Sequence, residues 1–195
     1  MLNQAHKLDQ LQTLAETQER TESSVTKKSI NISNGPNAVD KDTYTEQRFL
    51  PECIRLNFDE LKAFETLHDQ FKNWGIIFDN CLVIQPSNPA FPSESGSKVV
   101  MASPKSGLLE INFLRPVNWV SGLVTSSQRL VISAYDQNGE LLDESVLPKA
   151  NLANSDSDIP PNTMLSVSAE NISKVKFFCF DGNFTLDEFR FCISN

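Results

Sequence analysis

Three carboxylates, Asp59, Glu60 and Asp187, are the residues whose type and placing point to metal chemistry. In the closing stretch FTLDEFRFCI, Phe189, Phe191 and Ile193 alternate, so a period of two places Asp187 on the same inward row. A buried carboxylate is costly unless a cation or several hydrogen-bond donors meet it. Asp59 and Glu60 follow directly on the alternating Ile54, Leu56 and Phe58. If the first and last strands pair antiparallel, the two acidic corners meet, and carboxylates with loop carbonyls form a hard-oxygen set suited to Ca²⁺. The alternative is a corner without metal, in which Asp187 accepts turn N–H groups or Arg55 and Arg190 pair with the acids outside.

Cys53 and Cys192 share a parity relative to the inward residues of those same two strands, so both project outward and can face each other. A Cys53–Cys192 disulfide requires Cα atoms within about 7 Å; free thiols in a reducing compartment are the other reading. Cys81 and Cys179 lie inside apolar patterns and read as small buried hydrophobes. No CxxC or Cys/His cluster supports zinc.

Catalytic constellations are sparse. His6 falls in the N-terminal stretch and His68 on an apolar periodic face. The chain has no GxSxG, HExxH, Walker or GxGxxG pattern. The Ser93–Gly96 loop brings no companion base, and Asp143/Glu144 and Asp156/Asp158 lie in polar stretches as solvated pairs. For ligand binding the candidates are aromatic: Trp74, Trp119 and Tyr135 are the rings on which a sugar could stack. Trp74 is expected to pack ahead of Gly75, while Trp119 interrupts the alternation of NFLRPVNWVSGLV; core packing of both tryptophans is the competing reading.

The elements that must position these residues follow from composition. The chain has 195 residues, a net charge of -8 and 13 Phe, every one of them at Phe49 or later. Large rings build cores, so the chain divides into an N-terminal extension, 1–48, and a domain, 49–195. The extension carries 6 basic and 7 acidic residues and the domain 11 and 18, so the acidity belongs to the domain. That balance disfavours nucleic acid and anionic membrane surfaces as partners. No apolar run approaches the roughly 20 residues of a membrane-spanning helix. Within the extension, Leu2, Ala5, Leu8, Leu11 and Leu14 suggest a short helix, and 21–46 read as a Ser/Thr/Asn-rich linker, so the extension is helical or disordered.

The domain punctuates as all-β. Strands are expected at Cys53–Phe58, Trp74–Gln85, Lys98–Ala102, Gly107–Phe113, Val117–Thr125, Arg129–Tyr135, Leu141–Val146, Met164–Ala169, Lys174–Phe180 and Phe184–Ile193, separated by turn signals. YDQNGELL is the clearest hairpin, with Asp136 opening the turn and Gly139 re-entering a strand. One stretch departs from this. Asp59–Lys72 carries Leu61, Phe64, Leu67, His68 and Phe71 at helical spacing and predicts one short helix or irregular excursion after the first strand.

The order LNFDEL, FKNWGIIFDN, SGLLEINFLRPVNWVSGLV, LVISAYDQNGELL, NISKVKFFCF and FTLDEFRF resembles the jelly-roll β-sandwich domain of galactose-binding-like and carbohydrate-binding-module-like type, as in bacterial PEP-CTERM-associated proteins. The resemblance covers roughly residues 50–193. It implies an antiparallel jelly-roll sandwich, often with a structural Ca²⁺ at the Asp59/Asp187 corner. It also implies a non-catalytic ligand-binding module for carbohydrate. A protein-interaction module using the N-terminal helix, and a calcium-dependent enzyme acting on polysaccharide, are the alternatives. The resembled family is mostly extracellular; the start of this chain lacks the pattern of a secretory signal, which makes the cytoplasm the default expectation.

Overall fold

The computed structural model describes residues 52–104 and 106–193. The expected N-terminal extension, 1–48, lies outside the described residues. Ten strands follow one another: β1 (Glu52–Arg55), β2 (Thr66–Leu67), β3 (Ile76–Asp79), β4 (Cys81–Ile84), β5 (Val99–Ala102), β6 (Leu108–Ser126), β7 (Leu130–Tyr135), β8 (Leu141–Leu147), β9 (Thr163–Cys179) and β10 (Phe184–Ile193). Every pairing is antiparallel.

The two long strands build both layers of a β-sandwich. The first part of β6, Leu108–Phe113, pairs with β3 and with the second part of β9, which in turn pairs with β7, and β7 with β8. The second part of β6 pairs with β10 and with the first part of β9. β10 continues to β5 at Thr185–Leu186 and to β1 at Arg190–Ile193; β5 leads on to β4 and β2. A strand that changes layers needs a bend. In β6 the bend is the register shift between Asn112 and Val117, around exposed Leu114, Arg115 and Pro116. In β9 it lies at Asn171, whose φ of 63° is left-handed. The expected strand pairs Gly107–Phe113 with Val117–Thr125, and Met164–Ala169 with Lys174–Phe180, are therefore single bent strands. Conversely, the expected strand Trp74–Gln85 splits at Asn80, φ 60°, so that β3 joins one layer and β4 the other.

Between the layers runs a chain of phenylalanines. Phe71 meets Phe58 at 5.9 Å between centroids, Phe58 meets Phe78 at 6.4 Å and Phe78 meets Phe189 at 5.9 Å. Phe189 meets Phe191 at 6.2 Å and Phe191 meets Phe113 at 5.6 Å. Such tilted and edge contacts contribute about 0.5–1.5 kcal/mol each beyond burial. They tie the segment that follows β1 to β10.

Of the short helix or irregular excursion expected over Asp59–Lys72, the structure shows the excursion: no α-helix forms, and a 3-10 turn, Lys72–Trp74, ends the stretch. Strand pairing takes the backbone groups a helix would use: Thr66–Leu67 pair with Cys81–Leu82, the Phe64 N–H donates to the Val83 carbonyl and the Val83 N–H to that of Glu65. An isolated amphipathic helix of this length is marginal in water, so these pairings prevail. Leu67 and Phe71 are buried as the pattern implies, but Phe64 is 77% exposed at φ 66°.

Candidate functional site

The acidic corner forms, by a different route from the one expected. On β10, Leu186 lies opposite Val124 and both belong to the core, so pleating turns Asp187, opposite Leu123, to the other face. A bulge between Asp187 and Arg190, with Glu188 at φ 49°, then resets the alternation and returns Phe189 and Phe191 to the core. Asp187 is thus not on the inward row of Phe189. It is nonetheless only 1% exposed, because the segment before β5 lies over it. Its Oδ2 accepts the Glu94 N–H at 2.8 Å and the Ser95 N–H at 3.2 Å. Its Oδ1 accepts the Ser95 hydroxyl and the Glu188 N–H.

Asp59 grips the next residues of the same loop. Its Oδ1 accepts the Ser97 N–H at 2.9 Å, the Ser97 hydroxyl at 3.1 Å and the Lys98 N–H at 3.0 Å. These donors, the Ser97 N–H foremost, hold the Asp59 carboxyl below its ordinary range. Between the two grips, Gly96 leaves no room for a side chain, since a Cβ there would lie 2.1 Å from Asp59 Oδ2. The structure therefore brings Asp59 and Asp187 to one five-residue loop, beside a cavity of about 390 Å³. Glu60 is exposed and does not line that cavity.

As a calcium site the corner fits poorly. Each carboxylate faces N–H and O–H donors of the loop, and the Lys98 ammonium donates to the Asp59 carbonyl at 2.6 Å. Among the described residues no group of three His, Cys, Asp or Glu side chains is gathered to hold a metal. Arg55 and Arg190 pair with Glu188, not with Asp59 or Asp187.

At the far end of β1, Cys53 lies opposite Cys192 and the two form a disulfide with Cα atoms 4.0 Å apart. Cys81 and Cys179 are buried free thiols, and burial pushes Cys81 up to about 12. His68 is an exposed surface group, its Nδ1 2.9 Å from the Phe78 carbonyl and 3.1 Å from Asp79 Oδ1.

The three aromatic candidates lie apart, and their surroundings differ. The Tyr135 ring carries the Lys176 ammonium 5.3 Å from its centroid, and Lys176 also pairs with Glu110 at 3.2 Å, so that ring face is already covered. Trp119 is half-buried in a shallow hollow beside Ser168, Glu170 and Cys192. Trp74, expected to pack in the core, is instead 55% exposed. The 3-10 turn that carries it ends on Gly75 in the left-handed conformation, φ 84°, whose N–H donates to the Lys72 carbonyl. The Gly75 carbonyl in turn accepts the Leu114 N–H at 2.7 Å, which ties the turn to the bend of β6. Between turn, bend and β1 opens a pocket of about 380 Å³, with Phe191, Val117, Ile54 and Ile193 along its apolar side. Lys72, Asn73, Arg115 and Glu52 supply its polar groups. Composition marks Trp74 as a candidate, but its exposure and its neighbours come from the β6 bend, which the sequence hints at only through Pro116.

The chain is similar in structure to a DUF4465 family protein from Bacteroides caccae, at 13% identity and a TM-score of 0.44, covering 73% of this chain and all of that one. It is also similar to TmCBM61 in complex with β-1,4-galactotriose, at 10% identity and a TM-score of 0.31, covering 66% and 95%. Arabinose-bound MgGH51 α-L-arabinofuranosidase shows 14% identity over 66% of this chain and 24% of its own, with a TM-score of 0.31. No model of a known protein family matches the chain, and no curated protein does.

Proposed function

We propose that this domain is a non-catalytic carbohydrate-binding module whose sugar site is the Trp74 pocket. One observation carries the reading: an indole 55% exposed, held by a tied-down turn at the edge of a pocket lined by apolar and hydrogen-bonding side chains. A pyranose presents an apolar C–H face and a rim of hydroxyls. A rigid ring matches the first, and Asn73, Arg115 and Glu52 match the second. The sequence resemblance to carbohydrate-binding-module-like sandwiches supports the same reading.

The acidic corner, on this proposal, is a clasp of loop donors that works without calcium. The Cys53–Cys192 disulfide supports an oxidising compartment. The test is affinity electrophoresis of the full chain through gels containing soluble polysaccharides. Retardation by at least one polysaccharide, lost in Trp74→Ala with an unchanged melting temperature, is the expected result. Retardation that survives Trp74→Ala, or none with any polysaccharide, overturns it.

A further inference from the structure

The Trp74 pocket holds charge as well as a ring. Most cations of the described domain are engaged: Arg55 and Arg190 with Glu188, Lys149 with Asp158, Lys174 and Lys176 with Glu110, and Lys98 with the Asp59 carbonyl. Lys62, Lys72, Arg115 and Arg129 have neither an ion pair nor a side-chain hydrogen bond among the described residues, and two of them, Lys72 and Arg115, line this one pocket. The whole chain carries -8. Lys72 and Arg115 beside an exposed indole therefore make a local positive site on a chain of net negative charge.

We infer that the pocket takes a glycan bearing anionic groups, with the pyranose face on Trp74 and a sugar carboxylate or sulfate between Lys72 and Arg115. Arg115 lies at the exposed bend of β6, next to Pro116. A guanidinium there offers two parallel N–H donors to a carboxylate or a sulfate, while the Lys72 ammonium acts as a point charge beside it. Glu52, on the same pocket, suits the neighbouring hydroxyls and disfavours a second anion close to itself. Both anion types share this chemistry, and the experiment separates them.

The inference rests on the sugar-binding reading of this pocket, and the assay distinguishes the failure of each. The full chain is titrated calorimetrically with three series of equal length: neutral hexose oligomers, hexuronate oligomers and sulfated hexose oligomers. At least tenfold tighter binding of one anionic series over the neutral one is expected, and the preferred series names the anion. Arg115→Ala is expected to remove that preference, Arg115→Lys to restore part of it and Trp74→Ala to abolish binding of every series. Equal affinity for neutral and anionic oligomers, or an anionic preference unchanged in Arg115→Ala, overturns the inference and leaves the sugar-binding reading standing. Absence of binding by all three series overturns both.

Discussion

Replacing Asp187 tests whether a protein-only clasp holds the loop before β5. Asp187→Ala strands four donors: the N–H groups of Glu94, Ser95 and Glu188 and the Ser95 hydroxyl. A hydrogen bond to a charged group contributes about 1.5–3 kcal/mol. The four do not add, because residues 94–98 lie partly exposed and can turn some donors to water. We expect a net loss of about 3–4 kcal/mol, in the range for removing one partner of a buried charged network. At about 2–4 °C per kcal/mol for a domain of this size, the melting temperature falls by roughly 6–16 °C. Asp187→Asn keeps the shape but turns an amide NH₂ toward donors on one side, so about 2 kcal/mol is lost. Asp59→Ala, on an exposed side chain, costs under about 1 kcal/mol. The assay is thermal unfolding by circular dichroism at pH 7, run in EDTA and in excess Ca²⁺. A fall below about 3 °C for Asp187→Ala, or one no larger than for Asp59→Ala, refutes the clasp. So does a wild-type midpoint that Ca²⁺ raises and Asp187→Ala makes insensitive to Ca²⁺.

Reduction of Cys53–Cys192, or the double serine variant, is expected to lower stability by about 2–5 kcal/mol, since the bond closes a loop with a sequence separation of 139 residues; denaturant midpoints with and without dithiothreitol measure it. Asp59, Asp136 and Asp158 all have folded carboxyls below their ordinary range. As pH falls the unfolded chain protonates first, so their contribution is complete above the ordinary carboxylate pKa and is lost on acidification through the folded one. Urea midpoints at pH 7 and pH 3 are expected to differ in that sense, with the lower value at pH 3. Cys81, buried and raised to about 12, is expected to resist iodoacetamide in the native protein at pH 8 and to react once urea unfolds it, as read by mass spectrometry.

Local chemistry was legible where it acts locally. The bounds of β10 follow from the apolar run Phe184–Ile193 and its flanking Asp-Gly-Asn, and those of β7 agree to within one residue. The Asp136 hairpin closes as its residues imply, with the Glu140 N–H and the Asn138 N–H on the Asp136 carboxylate and Gly139 at φ 82°. The helical spacing over Asp59–Lys72 does not become a helix, because periodicity reports which residues are apolar, while β4 decides which backbone groups pair. Asp187 shows the same limit in a strand: its burial is a property of the segment lying over β10, and one bulge at Glu188 reverses the parity on which the inward row depends.

By itself the sequence determined an all-β domain, the bounds of several of its strands, and the acidic residues that follow the first apolar row and fall within the last. These follow from alternation and turn chemistry, which are short-range. Only the tertiary structure decided that Asp59 and Asp187 grip one loop, that Cys53 faces Cys192 in register, and that Trp74 stands open beside Lys72 and Arg115. Each depends on which distant segment covers a residue, or leaves it uncovered. Where β6 bends and β10 bulges sets that, through contacts that no spacing within a strand encodes.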